Sequence, residues 1–385
     1  MYISSIYLNN YRNYKKQDIQ LSPGINVIQG ANGQGKSNFL ESIYNLCFGR
    51  PFRAFKEIDL VCRGTPYYYL QGTIYLQQRR HKIEVGYEIE KKRKIFKVNG
   101  RKDRSNCLAG RCPVVFFVPE DLELIRRGPE ERRRFLDREI SQITPLYGEY
   151  LSRYNRVIYQ KNRALKEKKI SREALKNLIK AWNAQIIYFG SRILQKRAYY
   201  ISIWSELASR NFGLLFENEQ QLKIAYQNFL QKGLLTGDLS EIELLFSIEI
   251  AAKEDEEYLK GFSIVGPHRD DLSFLIDGCD AKRFASHGQQ RSAVIALKAA
   301  QIQYYHQQEE KPLFILDDIF SELDEKRREQ CFALLAKAEQ IFLSITKKEK
   351  YLDPFFEKFS CYSFFHVNNG SITEIKENGN DRFFY

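Results

Sequence analysis

The chain changes hydrophobic period several times. Apolar positions alternate from Ile3 to Leu8, predicting a strand, and Ile25 to Ile28 reads as a second, buried strand feeding a glycine-rich loop. Phe39, Leu40, Ile43, Leu46 and Cys47 then recur at helical spacing, and Gly49 stands where a C-terminal cap would end the helix. From Tyr67 to about Val98 the period becomes two, closing at Asn99-Gly100, as expected of an antiparallel meander. Val114 to Val118 is a short apolar run suited to a central strand. Beyond it helical periodicity takes over, as in Leu175, Leu178, Ile179, Trp182, Ile186 and Phe189. Strand signals return at Leu272 to Ile276 before Asp277-Gly278, at Leu313 to Leu316 and at Ile341 to Ile345, and a hairpin is expected around Asn369-Gly370.

These signals predict an α/β chain with a discontinuous sheet domain, residues 1–121 and 261–385, interrupted by a helical insert at 122–260. The helices of the insert lack the sustained a/d heptads of a long coiled coil. A chain of 385 residues with 43% hydrophobic content can bury two such cores. Sixty Lys and Arg against 48 Asp and Glu leave a charge of +12, which favours an anionic partner such as nucleic acid. Seven scattered cysteines argue against a disulfide framework or a zinc site. The N-terminus lacks a basic region followed by an apolar stretch, and no apolar run reaches membrane-spanning length, so a cytoplasmic protein without a membrane partner is expected.

The chemistry concentrates in a few short segments. Gly30, Ala31, Asn32, Gly33, Gln34, Gly35, Lys36 and Ser37 satisfy G-x-x-x-x-G-K-[ST] between strand and helix. There the glycines let backbone N–H groups turn toward the phosphates of ATP, Lys36 reaches the β- and γ-phosphates, and Ser37 ligates Mg2+. Leu313 to Leu316 delivers Asp317 and Asp318 at a strand's C-terminal end, where Asp317 would hold Mg2+ and Asp318 would orient the attacking water. Ser286 and Gln289 fit an S-x-x-Q capping box at the start of a further helix, which by itself would explain the serine. Arg126, Arg127, Arg132, Arg133 and Arg134 surround a Gly-Pro break and could meet DNA phosphates or form a solvated helix face; the run Lys166 to Lys169 is a second candidate.

Ser286-His-Gly288-Gln289-Gln290 upstream of the aspartate-ended strand resembles the signature motif of the ABC ATPases, and Ser321 to Asp324 resembles their D-loop. That resemblance implies that Ser286, Gly288, Gln289 and Gln290 serve in trans the ATP held by the opposite protomer, with Ser321 and Asp324 at the dimer contact and Ser286 counted with Lys36 and Asp318 as catalytic. Within the class the chain resembles the RecF family through Leu8 to Tyr14, Phe117 to Leu124, Gly128 to Asp137, Gly266 to Leu272 and Leu316 to Asp324. The resemblance implies an ATP-dependent homodimer that binds duplex and gapped DNA, acts with RecO and RecR to load RecA, and places Arg12 near the nucleotide. Asp318 where many ABC enzymes carry glutamate and Thr346 where many carry a switch histidine imply slow hydrolysis, and near Pro119 and Glu120 the glutamine through which that loop senses magnesium in other members is missing.

Three other readings are weaker. An SMC-like DNA tether needs long heptad arms. A transporter subunit would have a much shorter segment between P-loop and signature. His268-Arg-Asp270 invites a kinase catalytic loop, but Leu275 stands where that loop needs asparagine.

Overall fold

The computed structural model describes residues 1–52, 56–103, 112–166, 172–216, 219–230, 238–318, 325, 328–329, 338–347 and 361–375. They fall into two compact units, Met1–Asp121 with Tyr305–Tyr385, and Leu122–Tyr304.

In the first unit the strands are β1 (Tyr2–Tyr11), β2 (Tyr14–Gln20), β3 (Ile25–Gln29), β4 (Tyr67–Leu76), β5 (Arg79–Glu88), β6 (Arg93–Val98), β7 (Arg101–Lys102) and β8 (Val114–Phe117), with the helix α1 (Lys36–Phe48) after β3. The later numbering is β9 (Leu222–Gln227), β10 (Asp271–Ile276), β11 (Cys279–Asp280), β12 (Leu313–Asp317), β13 (Gln340–Ile345), β14 (Tyr362–Asn368) and β15 (Ser371–Ile375). One sheet is the antiparallel meander β2-β1-β4-β5-β6-β7. The other has the order β15-β14-β3-β13-β12-β8 and is parallel except for the terminal hairpin.

Helix α1 belongs to one apolar cluster with both sheets, including Phe39, Ile43 and Leu46 from the helix, Ile6, Leu70 and Val85 from the meander, and Ile28, Ile315 and Phe342 from the second sheet. Eleven of its thirteen residues are buried, so its polar side chains need internal partners. Asn45 Nδ2 donates to Tyr68 Oη at 3.3 Å, Ser42 Oγ donates to the Phe39 carbonyl at 2.6 Å, and Glu41 accepts from Arg12. Gly49 ends the helix in the left-handed conformation, its N–H donating to the Asn45 carbonyl at 2.7 Å. The expected turns at Asn99-Gly100, Asp277-Gly278 and Asn369-Gly370 carry positive φ at both residues, the geometry that suits two-residue hairpins.

After the short α2 (Pro119–Leu122) at the junction in sequence, the second unit holds most of the helices: α3 (Pro129–Ile143), α4 (Pro145–Lys166), α5 (Arg172–Leu215), α6 (Leu239–Ala252), α7 (Glu254–Lys260), α8 (Ala281–Phe284) and most of α9 (His287–Gln307). The expected boundary at 260 falls inside this unit, because β9 pairs antiparallel with β10 over six residues and β10 pairs with β11. Helix α5, 44 residues long, packs on α4, α6 and β9 and is not an extended arm.

A polar network lies at the centre of this unit. Arg197 on α5 donates to Asp137 of α3 at 2.8 Å, Tyr147 of α4 at 3.0 Å, the Pro267 carbonyl at 2.6 Å and Asp270 at 3.4 Å. Tyr226 of β9 donates to the same Asp270 carboxylate. His268 sits 3.1 Å from the Ser263 carbonyl through Nε2, which must therefore donate, so Nδ1 accepts from the Tyr154 hydroxyl at 2.6 Å. Burial pushes the His268 pKa down to about 4, consistent with this neutral tautomer. Gly266, at φ 133°, could carry no side chain, since a Cβ there would lie 2.2 Å from the Tyr154 hydroxyl. The segment Gly266 to Leu272 thus knots four elements of the unit together.

Candidate nucleotide site

The P-loop leaves the end of β3, where the Gly30 N–H donates to the Ile345 carbonyl of β13 at 3.2 Å. Gly33 and Gly35 adopt φ of 80° and 122°. These values favour glycine, and they turn the backbone inward ahead of the N-terminus of α1. The crest Ala31 to Gly33 is exposed, whereas Gly35 and Lys36 are buried and Ser37 is half-buried. The Lys36 ammonium donates to the carbonyls of Gly30 at 2.6 Å and Ala31 at 3.1 Å. Burial lowers its pKa, and the carboxylates of Asp318 and Asp317 act against that shift. Cation and carboxylates therefore share one site at the C-terminal edge of the parallel sheet, the edge where open α/β sheets bind ligands.

Ser344 of β13 organises the carboxylate pair. Its hydroxyl donates to Asp317 Oδ1 at 2.7 Å and accepts the Asp318 N–H at 2.9 Å. Asp317 is 3% exposed, and Asp318 stands at φ 49°, a left-handed conformation that costs a non-glycine residue about 1–2 kcal/mol. Sequence reasoning passed over Ser344. The signal was a lone hydroxyl in the apolar run Ile341 to Ile345.

Two hairpin tips brace the loop from outside. Asn13, in the tight turn between β1 and β2, donates to the Gln34 carbonyl at 2.9 Å and accepts from Asn38 at 2.9 Å. The Gly370 N–H reaches the same Gln34 carbonyl at 3.1 Å, and the Asn369 N–H meets Gln34 Oε1 at 2.8 Å. Tyr14 donates to the Gly35 carbonyl at 3.0 Å. Arg12, expected near the nucleotide, places its guanidinium on Glu41 of α1 at 2.8 Å and on the Asp59 carbonyl at 2.9 Å. Its neighbours Asn13 and Tyr14 reach the loop with their side chains.

In the second unit the expected capping box forms: Ser286 Oγ accepts the Gln289 N–H at 3.2 Å, and Gln289 Oε1 accepts the Ser286 N–H at 2.8 Å. Ser286 is exposed and Gly288 half-buried at the head of α9. Gln290 turns inward, donating to the Ala281 carbonyl at 2.8 Å, so it holds the approach to α9 and does not face outward with the serine. Ser321 and Asp324 lie outside the described residues.

The five arginines around Gly128 do not share one environment. Arg132 is 6% exposed and forms a two-pronged pair with Asp271, both contacts at 2.7 Å. Arg133 donates to the Asp270 carbonyl at 2.7 Å. Arg132 thus serves the unit's interior, because a buried guanidinium needs fixed acceptors, whereas Arg133 is half-buried. Arg126, Arg127 and Arg134 are exposed and pair with Glu123, Glu131 and Glu130, respectively.

The oxygen donors present suit a hard cation: the Ser37 hydroxyl and Asp317, whose Oδ1 is fixed by Ser344, are of the kind Mg2+ takes. The P-loop, with Lys36 among backbone carbonyls and two carboxylates acting on it, suits a polyphosphate.

The two sheets, the P-loop and the aspartate-ended strand define an ABC ATPase-like head fold. The model of the RecF/RecN/SMC N-terminal domain family matches residues 2–372. The chain is 34% identical to the DNA replication and repair protein RecF of Halothermothrix orenii, over 98% of this chain and 100% of that protein. It is 36% identical to its counterpart in Thermoanaerobacter pseudethanolicus over the same shares. A solved structure of the recombination mediator protein RecF with ATP, in the RecFOR pathway, superposes with a TM-score of 0.85 at 30% identity, covering 97% of this chain and 98% of that one. An Smc head bound to the C-terminal winged-helix domain of ScpA shares the fold alone, with a TM-score of 0.55 at 16% identity. The chain belongs to the RecF family.

Proposed function

We propose that this protein is an ATP-gated DNA clamp of recombinational repair, in which two protomers close on two ATP molecules and release DNA as ATP is slowly hydrolysed. The observation that carries this reading is the convergence of Lys36, Asp317 and Asp318, with Ser344 tying the two carboxylates together. Lys36 neutralises the β- and γ-phosphates, Ser37 and Asp317 hold Mg2+, and Asp318 orients a water and accepts its proton. Mg2+ supplies neutralisation of the charge that develops on the phosphoryl oxygens. Ser286 and Gly288 present a hydroxyl and helix N–H groups to the γ-phosphate bound by the partner protomer, so nucleotide joins the dimer. Asp318, shorter by a methylene than glutamate, makes hydrolysis a timer that DNA accelerates.

The relatives' printed names, a DNA replication and repair protein and a recombination mediator in the RecFOR pathway, support DNA repair as the setting. Within that setting the proposal takes duplex and gapped DNA as the ligand, RecO and RecR as partners, RecA as the protein loaded and the cytoplasm as the location. Among the described residues no helix is long and apolar enough to cross a membrane. A tether built on long arms is disfavoured by the packing of α5 into its own unit.

The test is duplex binding and dimerisation measured against salt, with and without ATP, for wild type and Lys36→Ala. Wild type is expected to dimerise and bind DNA only with ATP, and Lys36→Ala to lose both responses. Nucleotide-independent DNA binding by a persistent monomer would sink the clamp.

A further inference from the structure

Arg132 is taken up by Asp271 and Arg133 is half-buried on the Asp270 carbonyl, while Arg126, Arg127 and Arg134 stay exposed beside Glu123, Glu131 and Glu130, so that region mixes both signs of charge at its surface. Helix α4 offers a different surface. One face is buried through Tyr147, Tyr154, Val157, Ile158, Lys161 and Ala164. The opposite face presents Asn155, Arg156, Tyr159, Gln160, Arg163 and Lys166, all exposed, with Tyr159 68% accessible. No carboxylate occurs in α4 after Glu149. Among the described residues Arg156, Arg163 and Lys166 have no ion-pair partner, unlike the exposed Lys253 and Lys260, which both pair with Glu256.

We infer that this face of α4 is a contact surface for the phosphate backbone of duplex DNA; the inference rests on the DNA-binding reading and assigns it a place. Arg163 and Lys166, three residues apart, repel one another, and no carboxylate within α4 beyond Glu149 offsets their charge or that of Arg156. A polyanion does. Arg156 to Lys166 spans about 15 Å of helix axis, and B-DNA carries one phosphate charge per about 1.7 Å of its axis, so each cation can find its own phosphate. The remaining side chains of the face, an amide on Asn155, a hydroxyl on Tyr159 and an amide on Gln160, are those that bond phosphate oxygens without reading sequence. An anionic membrane is a poorer fit, because the face lacks the aliphatic and indole side chains that an interfacial helix buries.

The experiment compares two double variants of the full-length protein that lose equal charge, Arg156→Gln with Arg163→Gln, and Lys253→Gln with Lys260→Gln. Duplex binding with ATP is titrated between 50 and 300 mM salt, roughly the range over which counterion release dominates. The α4 double variant is expected to flatten the slope of log K against log salt by about 1.8, at about 0.9 per lost contact. The Lys253/Lys260 variant should keep the wild-type slope, and both should bind ATP as wild type does. Equal slopes in all three proteins, or equal flattening in both variants, overturns the α4 surface while leaving the clamp intact. Absence of DNA binding by wild type overturns the clamp reading and this inference together.

Discussion

Replacing Asp318 with asparagine is expected to lower ATP turnover by on the order of a hundredfold or more, the range lost when a positioned general base is removed, while ATP-driven dimerisation persists. The local geometry makes the substitution a clean one. Asp318 sits in the left-handed region at φ 49° and is held there by its own N–H on the Ser344 hydroxyl, neither of which depends on its carboxylate. Asparagine tolerates that conformation as aspartate does, so the backbone turn after β12 should survive. What disappears is a negative oxygen able to accept a proton from water. Asp317 keeps its bond from Ser344, so the oxygen ligands for Mg2+ are retained. Phosphate release in steady state, set beside gel filtration with ATP, checks both halves. Turnover unchanged in the variant would remove Asp318 from the mechanism.

Arg197→Met is expected to destabilise the second unit by about 3–5 kcal/mol, the usual cost of deleting one member of a buried charge cluster. Arg197 is 2% exposed and links α3, α4 and the Gly266 to Leu272 segment, and its loss leaves Asp137 and Asp270 with the more distant charge of Arg133 in place of a directly bonded cation. The effect should depend on pH. Burial raises the Asp270 pKa to about 6, outweighing the pull of Arg197 and the Tyr226 hydrogen bond. A carboxyl whose folded pKa lies above its unfolded value of about 3.9 binds more protons folded than unfolded, so its contribution to stability declines as pH rises from about 4 to about 6. Without Arg197 the folded pKa rises further and that decline extends to higher pH. The penalty of Arg197→Met should therefore grow between pH 5 and 8, roughly the interval in which the variant's Asp270 ionises. Thermal unfolding across this interval checks it. A penalty independent of pH would mean that removing Arg197 leaves the Asp270 titration unchanged, against the coupling between the two.

Local signals account for what could be read from the chain. The strand, P-loop and α1 follow one another within 24 residues, Ile25 to Phe48, and the Asn-Gly and Asp-Gly turns encode their own positive φ. The capping box of Ser286 and Gln289 is equally local. Strand β2 escaped notice because Tyr14 to Gln20 is mostly polar and is a strand by virtue of pairing with β1 at the edge of the meander. Strand β9 was absorbed into a helical reading because Leu222, Ile224 and Tyr226 alternate for only six residues, and its partner β10 lies far along the chain. Charge gave the least reliable guidance. Five arginines near Gly128 looked alike in sequence, yet Asp271, 139 residues from Arg132, decides that one of them is interior. Ser344 and Asn13 likewise gain their roles only when β13 comes beside β12 and the first hairpin reaches the P-loop.

The central claim is that each ATP is held by Lys36 of one protomer and Ser286 of the other, and mixing two inactive proteins tests it most directly. Lys36→Ala and Ser286→Arg should each be nearly devoid of ATPase activity, the first through its own phosphate site and the second through its partner's. In a mixed dimer one site pairs the two defects, while the other joins an intact P-loop to an intact signature. Because Lys36→Ala does not dimerise alone and the mixed dimer is held by its one intact site of two, turnover absent from either variant should return on mixing, rising toward about half of the wild-type value as mixed dimers form. No recovery at any ratio, with both variants folded and Ser286→Arg still binding ATP, would contradict a nucleotide shared between protomers.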